Sequence, residues 1–231
     1  MKILALDTSA EACSVALNLD GALMGRFQHA PRRHTELVLP MIEGLLAEAG
    51  VSLRQLDAIA FGRGPGSFTG VRIAAGVTQG IALGADLPVL AISTLAALAQ
   101  RAFRQQGRRQ ILSAFDARMG EVYWAAYRID QADLAVLQGR EAVLAPDQVS
   151  IPEPADEPAD WFGIGSGWQS YAEVLCRQTG LSGQEVGADL VCRAEELALL
   201  AEREWQQGRA LSPEQALPVY LRDKVAWQKG G

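Results

Sequence analysis

The side chains best placed to do chemistry stand at the ends of two apolar runs. Residues 2–6 (KILAL) lead into Asp7-Thr8-Ser9, and residues 111–116 (ILSAFD) end on Asp116. An aspartate closing the first strand of each of two halves can hold a divalent cation and phosphates between them. Gly163-x-Gly165-x-Gly167 then falls on the nucleotide side. On this reading Asp7, Thr8, Ser9, Asp116 and Gly165 are the cofactor-binding candidates. The same residue types also close turns and cap helices, which is the plainer reading. Neither turn carries a lysine, and Arg118 is the one candidate phosphate cation there.

A second candidate anion site is the cluster Gly62, Gly64, Pro65, Gly66. It follows a short strand pattern at 57–61 and precedes a helix that runs to about Leu83, started by Ser67 or Thr69. A strand, a turn and a helix start present free N–H groups to anions. Equally, the glycines can serve only a sharp reversal. The cluster has no Lys-Ser or Lys-Thr after its last glycine, and its glycines are out of register with Gly-x-Gly-x-x-Gly.

In the helix that follows, Gly76, Gly80 and Gly84 recur every fourth residue and share one face. Each interior glycine costs about 0.5–1 kcal/mol against alanine, so the ridge needs a close packing partner to compensate. That partner is either this chain's own sheet and helices or a second subunit. Arg72, Gln79 and Asp86 exclude a membrane span here.

Other chemistry finds few side chains. His29 and His34 are the only histidines, five apart across Pro31, which is not the spacing of a helical metal-ligand pair. A Ser-His-Asp triad would rest on one of those two. Cys13, Cys176 and Cys192 are odd in number and without metal-like spacing, which indicates buried, reduced thiols.

The elements that must position these residues follow from pattern. With 231 residues, 49% of them hydrophobic, the chain can bury one large or two modest cores. Its net charge of −6 argues against holding nucleic acid by its own phosphate contacts. Arg101, Arg104, Arg108 and Arg109, and Arg32, Arg33 and His34, are local basic spots or solvated faces. The N-terminus enters a strand directly and no apolar run reaches about 18 residues, so a soluble cytoplasmic protein is expected.

Strands at 2–6, 12–18 and 22–28 open the chain as a meander. An amphipathic helix at 35–49 follows, then the strand and glycine-ridged helix, a strand at 88–92 and a helix from 94 to about 104. ILSAFD then repeats ILALD with one extra residue, followed again by a turn and a strand at 121–128, as if the unit restarted. A strand at 135–144, a proline-rich loop at 146–160, a strand at 161–164 and helices at 169–179 and 194–207 follow. PVYLR at 218–222 reads as a last extended piece packed on one domain.

ILALDTSAEACSVAL, RHTELVLPMIEGLLAEAG, GRGPGSFTGVRIAAGVTQGIAL and PVYLR together resemble the bacterial TsaB (YeaZ) family over most of the chain, GPGSFTGVR being the specific part. The resemblance implies an α/β fold of two tandem RNase H-like, actin-like ATPase (ASKHA) lobes with mixed sheets, divided as residues 1–104 and 105–231. The final segment can return to the first lobe. It also implies a paralogue of TsaD, the threonylcarbamoyltransferase acting on adenosine 37 of transfer RNA. TsaD carries a metal-binding His-x-x-x-His pair where this chain has Thr94 and Leu98.

The function implied is therefore that of a non-catalytic subunit. Its partners would be TsaD, the small ATPase TsaE and, within the assembly, tRNA, with a homodimer when alone. His34, Leu37, Val38, Met41, Leu45, Arg72, Gly76 and Gly80 are the expected interface residues. The competing readings are an actin-like nucleotide hydrolase or kinase using Asp7 and Asp116, and a glycoprotease-type peptidase.

Overall fold

The computed structural model of the chain describes residues 1–152, 160–183, 186–187 and 191–222. Strands β1 (Lys2–Asp7), β2 (Ala12–Leu19) and β3 (Ala22–His29) form the opening meander, and α1 (His34–Ala49) follows. Next come β4 (Ala58–Gly64), α2 (Phe68–Ala85), β5 (Val89–Ser93) and α3 (Thr94–Gln106). Then β6 (Gln110–Arg118), β7 (Glu121–Ile129), β8 (Ala135–Leu144), β9 (Trp161–Ile164), α4 (Ser166–Thr179), β10 (Val186–Gly187) and α5 (Ala194–Gln206) complete the order. Residues 153–159 of the proline-rich loop lie outside the described residues.

Two five-stranded sheets carry one topology twice. The first is ordered β3-β2-β1-β4-β5 and the second β10-β9-β6-β7-β8, which is the same order read from the other edge. In each, the aspartate-bearing strand, β1 or β6, is antiparallel to its hairpin neighbour, β2 or β7, and parallel to the strand on its other side, β4 or β9. The similarity of ILALD and ILSAFD is thus a repeat of structure, and the chain has the two-lobed α/β fold of the actin-like class.

The sheet faces are sorted by side-chain size. Leu4, Leu6, Leu17, Ile59 and Phe61 point to one side, where α1 and α2 cover them. Ala5, Ala16, Ala58 and Ala60 point to the other, and their small size lets α5 and α3 approach closely. These two helices are exchanged between repeats. α5, from the second repeat, packs on β1 and β2, whereas α3, from the first, packs on β6, β7 and β8. The core between the sheets is therefore shared, with Leu98 and Leu197 both fully buried in it. On the outer face of the second sheet, α4 covers Leu112, Trp124 and Trp161 with Trp168.

Element ends follow local chemistry. Ser67 caps α2, accepting from the Gly70 N–H at 3.4 Å, and Ser93 caps α3 through Ala96 at 3.3 Å. Gly50 and Gly107 close α1 and α3 in left-handed conformation. β4 extends to Gly64, beyond the expected end at Phe61, because a bulge at Gly62/Gly64 keeps it paired with Ser93 of β5. α4 starts at Ser166, three residues earlier than the sequence pattern suggests.

Candidate functional site

Asp7, Thr8 and Ser9 form a closed knot beneath the loop that follows β4. Asp7 is 1% exposed. Its carboxyl accepts from Ser9 Oγ at 3.1 Å and from the Ser9 N–H at 3.4 Å. Burial pushes this carboxyl up from 3.8 to about 6, against the hydrogen bonds from Ser9 and the neighbouring His34, which hold it down. The loop presses on the knot: Ser67 donates its N–H to Ser9 O at 2.7 Å, and Thr8 Oγ1 donates to Gly70 O at 2.7 Å. A Cβ at residue 70 would meet Thr8 O at 2.0 Å, so only glycine allows this contact. The glycine cluster thus joins two strand ends.

Asp116 is used within its own turn. It accepts from the Arg118 N–H at 2.8 Å, from the Arg118 guanidinium at 3.2 Å and from Ser170 Oγ at 3.4 Å. Gly165 caps α4 with φ 106°, and a Cβ there would lie 2.4 Å from Ala114 O and 2.7 Å from Leu98 Cδ2. Its glycine is required by packing between repeats. Thr94 Oγ1 donates to Pro65 O. Among the described residues, no three His, Cys, Asp or Glu side chains cluster so as to hold a metal ion.

His34 is buried, with Nε2 2.8 Å from Ala10 O, and ties the start of α1 to the turn after β1. The run of arginines is largely consumed internally. Arg101 and Arg104 converge on the buried Glu196 of α5 at 3.7 and 2.8 Å, and Arg109 pairs with Asp133 at 3.0 Å.

The expected interface residues divide by burial. Val38, Met41 and Leu45 lie in this chain's own core, packed with Val15, Leu17 and Ile59, and Leu37 is half-buried beside them. The apolar stripe of α1 therefore faces its own sheet, which makes Val38, Met41 and Leu45 core residues. Arg72, Gly76 and Gly80 are exposed. At Gly76, Gly80 and Gly84 an added Cβ would meet nothing within 4 Å, so the glycine ridge has no packing partner within the described residues. Large apolar side chains that the periodicity does not single out are also exposed on these two helices: Phe68 at 67% and Leu83 at 57% on α2, and Leu39 at 47% on α1. Their signal in the sequence is an apolar residue off the core-facing register, which pattern alone does not distinguish from an isolated surface residue.

A separate cleft of about 460 Å³ lies where the two repeats meet, with Arg63, Ser93, Tyr127, Glu141, Arg203 and Arg209 in its lining. Glu141 takes Arg63 at 2.9 Å on one oxygen and the Tyr127 hydroxyl at 2.8 Å on the other. These residues escaped the sequence reading, because 78 positions separate Arg63 from Glu141. No helix of the described residues is long and apolar enough to cross a membrane.

The geometry can now be set beside known proteins. The family described as TsaD, tRNA N6-adenosine threonylcarbamoyltransferase, matches residues 28–229. The chain is 45% identical over 229 residues to the tRNA threonylcarbamoyladenosine biosynthesis protein TsaB of Escherichia coli K12, covering 99% of this chain and 98% of that one. Its identity to the protein of the same name from Haemophilus influenzae is 42% over 237 residues, covering 99% and 97%. A solved structure of YeaZ from Pseudomonas aeruginosa superimposes with a TM-score of 0.88 at 51% identity, covering 95% of this chain and 99% of that one.

Proposed function

Since the chain belongs to the TsaB family and serves in tRNA threonylcarbamoyladenosine biosynthesis, we propose that it does so as a non-catalytic cytoplasmic subunit. It binds TsaD through the outer face of α1 and α2. TsaE and tRNA join in the assembly, and the same face pairs two copies when the chain is alone. The observation that carries this reading is the glycine ridge: three helix-interior glycines on an exposed face, with open space above each. Such a ridge weakens an isolated helix and is useful where another backbone comes close.

The contact residues we propose are Arg72, Gly76 and Gly80, joined by Leu39, Phe68 and Leu83. The absence of catalysis is supported by Thr94 and Leu98, which stand where TsaD is expected to carry its metal-binding histidines. The nucleotide-hydrolase reading finds less support, since Asp7 is buried under the loop that follows β4 and Asp116 is engaged by Arg118 and Ser170.

Sedimentation velocity of the pure chain, alone and mixed with TsaD from the same cell, tests the proposal. A homodimer that exchanges into a one-to-one heterodimer, lost in Gly76→Glu, is the expected result. A monomer indifferent to TsaD would overturn it.

A further inference from the structure

The start of α2 carries an exposed cation that has no ion-pair partner among the described residues. The Arg72 guanidinium lies 3.3 Å from the Phe68 ring centroid and 4.9 Å from that of Tyr220, with the two rings 6.2 Å apart. Among the described residues its one hydrogen bond runs from Nη1 to Phe68 O at 3.0 Å. Both rings are open, Phe68 at 67% and Tyr220 at 48%. A guanidinium stacked on ring faces keeps its remaining edge free and pre-oriented, and that planar fork matches a carboxylate.

Tyr220 belongs to the closing segment, which crosses from one repeat to the other. Leu211 exchanges hydrogen bonds with Val89 at 2.9 and 2.8 Å, Ala216 is fully buried, and Val219 donates its N–H to Arg63 O at 2.8 Å. Two residues after Tyr220, Arg222 grips the β6–β7 turn of the second repeat. It bonds the Glu121 carboxylate through Nε at 3.0 Å and Ala117 O through Nη2 at 3.1 Å, and it reaches Arg118 O at 3.4 Å.

The turn it grips is strained. Arg118 and Met119, neither of them glycine, are left-handed with φ of 62° and 56°, a conformation disfavoured by their Cβ atoms. Such residues persist where surrounding contacts hold them, and here the guanidinium of Arg222 supplies those contacts.

We propose that Phe68, Arg72 and Tyr220 receive a carboxylate-bearing segment of the protein docked on α2, and that the closing segment carries this contact through Arg222 to the β6–β7 turn. The proposal rests on the docking reading above and names its chemistry. A partner that immobilises Tyr220 also immobilises Arg222, two residues on, so the strained turn tightens without being touched.

Hydrogen exchange at residues 117–121 tests the relay, in the free chain and in complex with TsaD from the same cell. In the free chain, Arg222→Ala should speed exchange at the turn about tenfold, and Arg222→Lys, which keeps charge without the fork, should restore only part of the protection. Complex formation should slow exchange at the turn several-fold in the wild type. Tyr220→Ala should weaken association and, at TsaD concentrations that saturate it, lose that slowing, and Arg72→Lys should weaken association about tenfold. A complex that protects α2 yet leaves residues 117–121 unchanged would overturn the relay alone, as would equal exchange in free Arg222→Ala and wild type. Failure to form any complex would overturn the docking reading itself.

Discussion

Gly62 on β4 stands so close to Asp7 on β1 that a Cβ at residue 62 would lie 2.2 Å from the Asp7 Oδ1 atom. The two strands end side by side, and the absence of a side chain on one makes room for the buried carboxyl on the other. Gly62→Ala forces the strand or the carboxyl to move, and overpacking of this kind costs about 1–3 kcal/mol. Thermal unfolding should show a melting temperature lower by roughly 2–10 °C. An unchanged melting curve would contradict the packing.

The buried Asp7 makes stability depend on pH in an uncommon direction. Its folded value of about 6 lies above the ordinary 3.8, so the native state holds this proton more tightly than the unfolded chain. The contribution is complete below about 3.8 and is lost as pH rises through 6. At pH 8 the charged, buried carboxylate costs on the order of 1–3 kcal/mol. Asp7→Asn should therefore melt higher than wild type at pH 8, and the difference should vanish near pH 4. A variant less stable than wild type at pH 8 would show that the carboxylate is required there.

The ridge glycines give effects of opposite sign on stability and on assembly. Nothing lies within 4 Å of a Cβ at residue 80. Gly80→Ala should stabilise the free chain by about 0.5–1 kcal/mol through helix propensity. Where two backbones pack close, the same methyl group should loosen the assembly. Chemical denaturation and sedimentation read the two quantities separately. A variant that is more stable and associates as tightly as wild type would count against close helix packing on the ridge.

Glu141 joins the repeats by bonding Arg63 from the first and Tyr127 from the second, with its side chain only 7% exposed. Arg63→Ala leaves that carboxylate without its cation, and the loss should be about 2–3 kcal/mol, moderated by the partial exposure of Arg63. The double variant Arg63→Ala with Glu141→Gln should recover part of the loss, since no uncompensated charge remains. Denaturation midpoints of the two variants check this. Equal loss in both would indicate packing rather than charge.

Local pattern was enough to give the repeat and every α-helix and β-strand except the two-residue β10, which exists only through its pairing with β9. The apolar runs ILALD and ILSAFD, the apolar spacing of α1, Ser67 before α2 and Gly50 after α1 act within a few residues, so the chain displays them in order. The motifs GPGSFTGVR and PVYLR carried the family resemblance. What each apolar stripe faces was not legible. Val38, Met41 and Leu45 have the spacing of a buried face, and that spacing is the same whether the cover is this chain's sheet or another subunit. Only the fold, which lays α1 on β2, decides that they are core and that the glycine ridge of α2 is open. Likewise the exchange of α3 and α5, the burial of Asp7 beneath Gly62 and the bonding of Arg222 to Glu121 join residues far apart in sequence. Such contacts depend on shape and exclusion of water in three dimensions, which sequence periodicity does not encode.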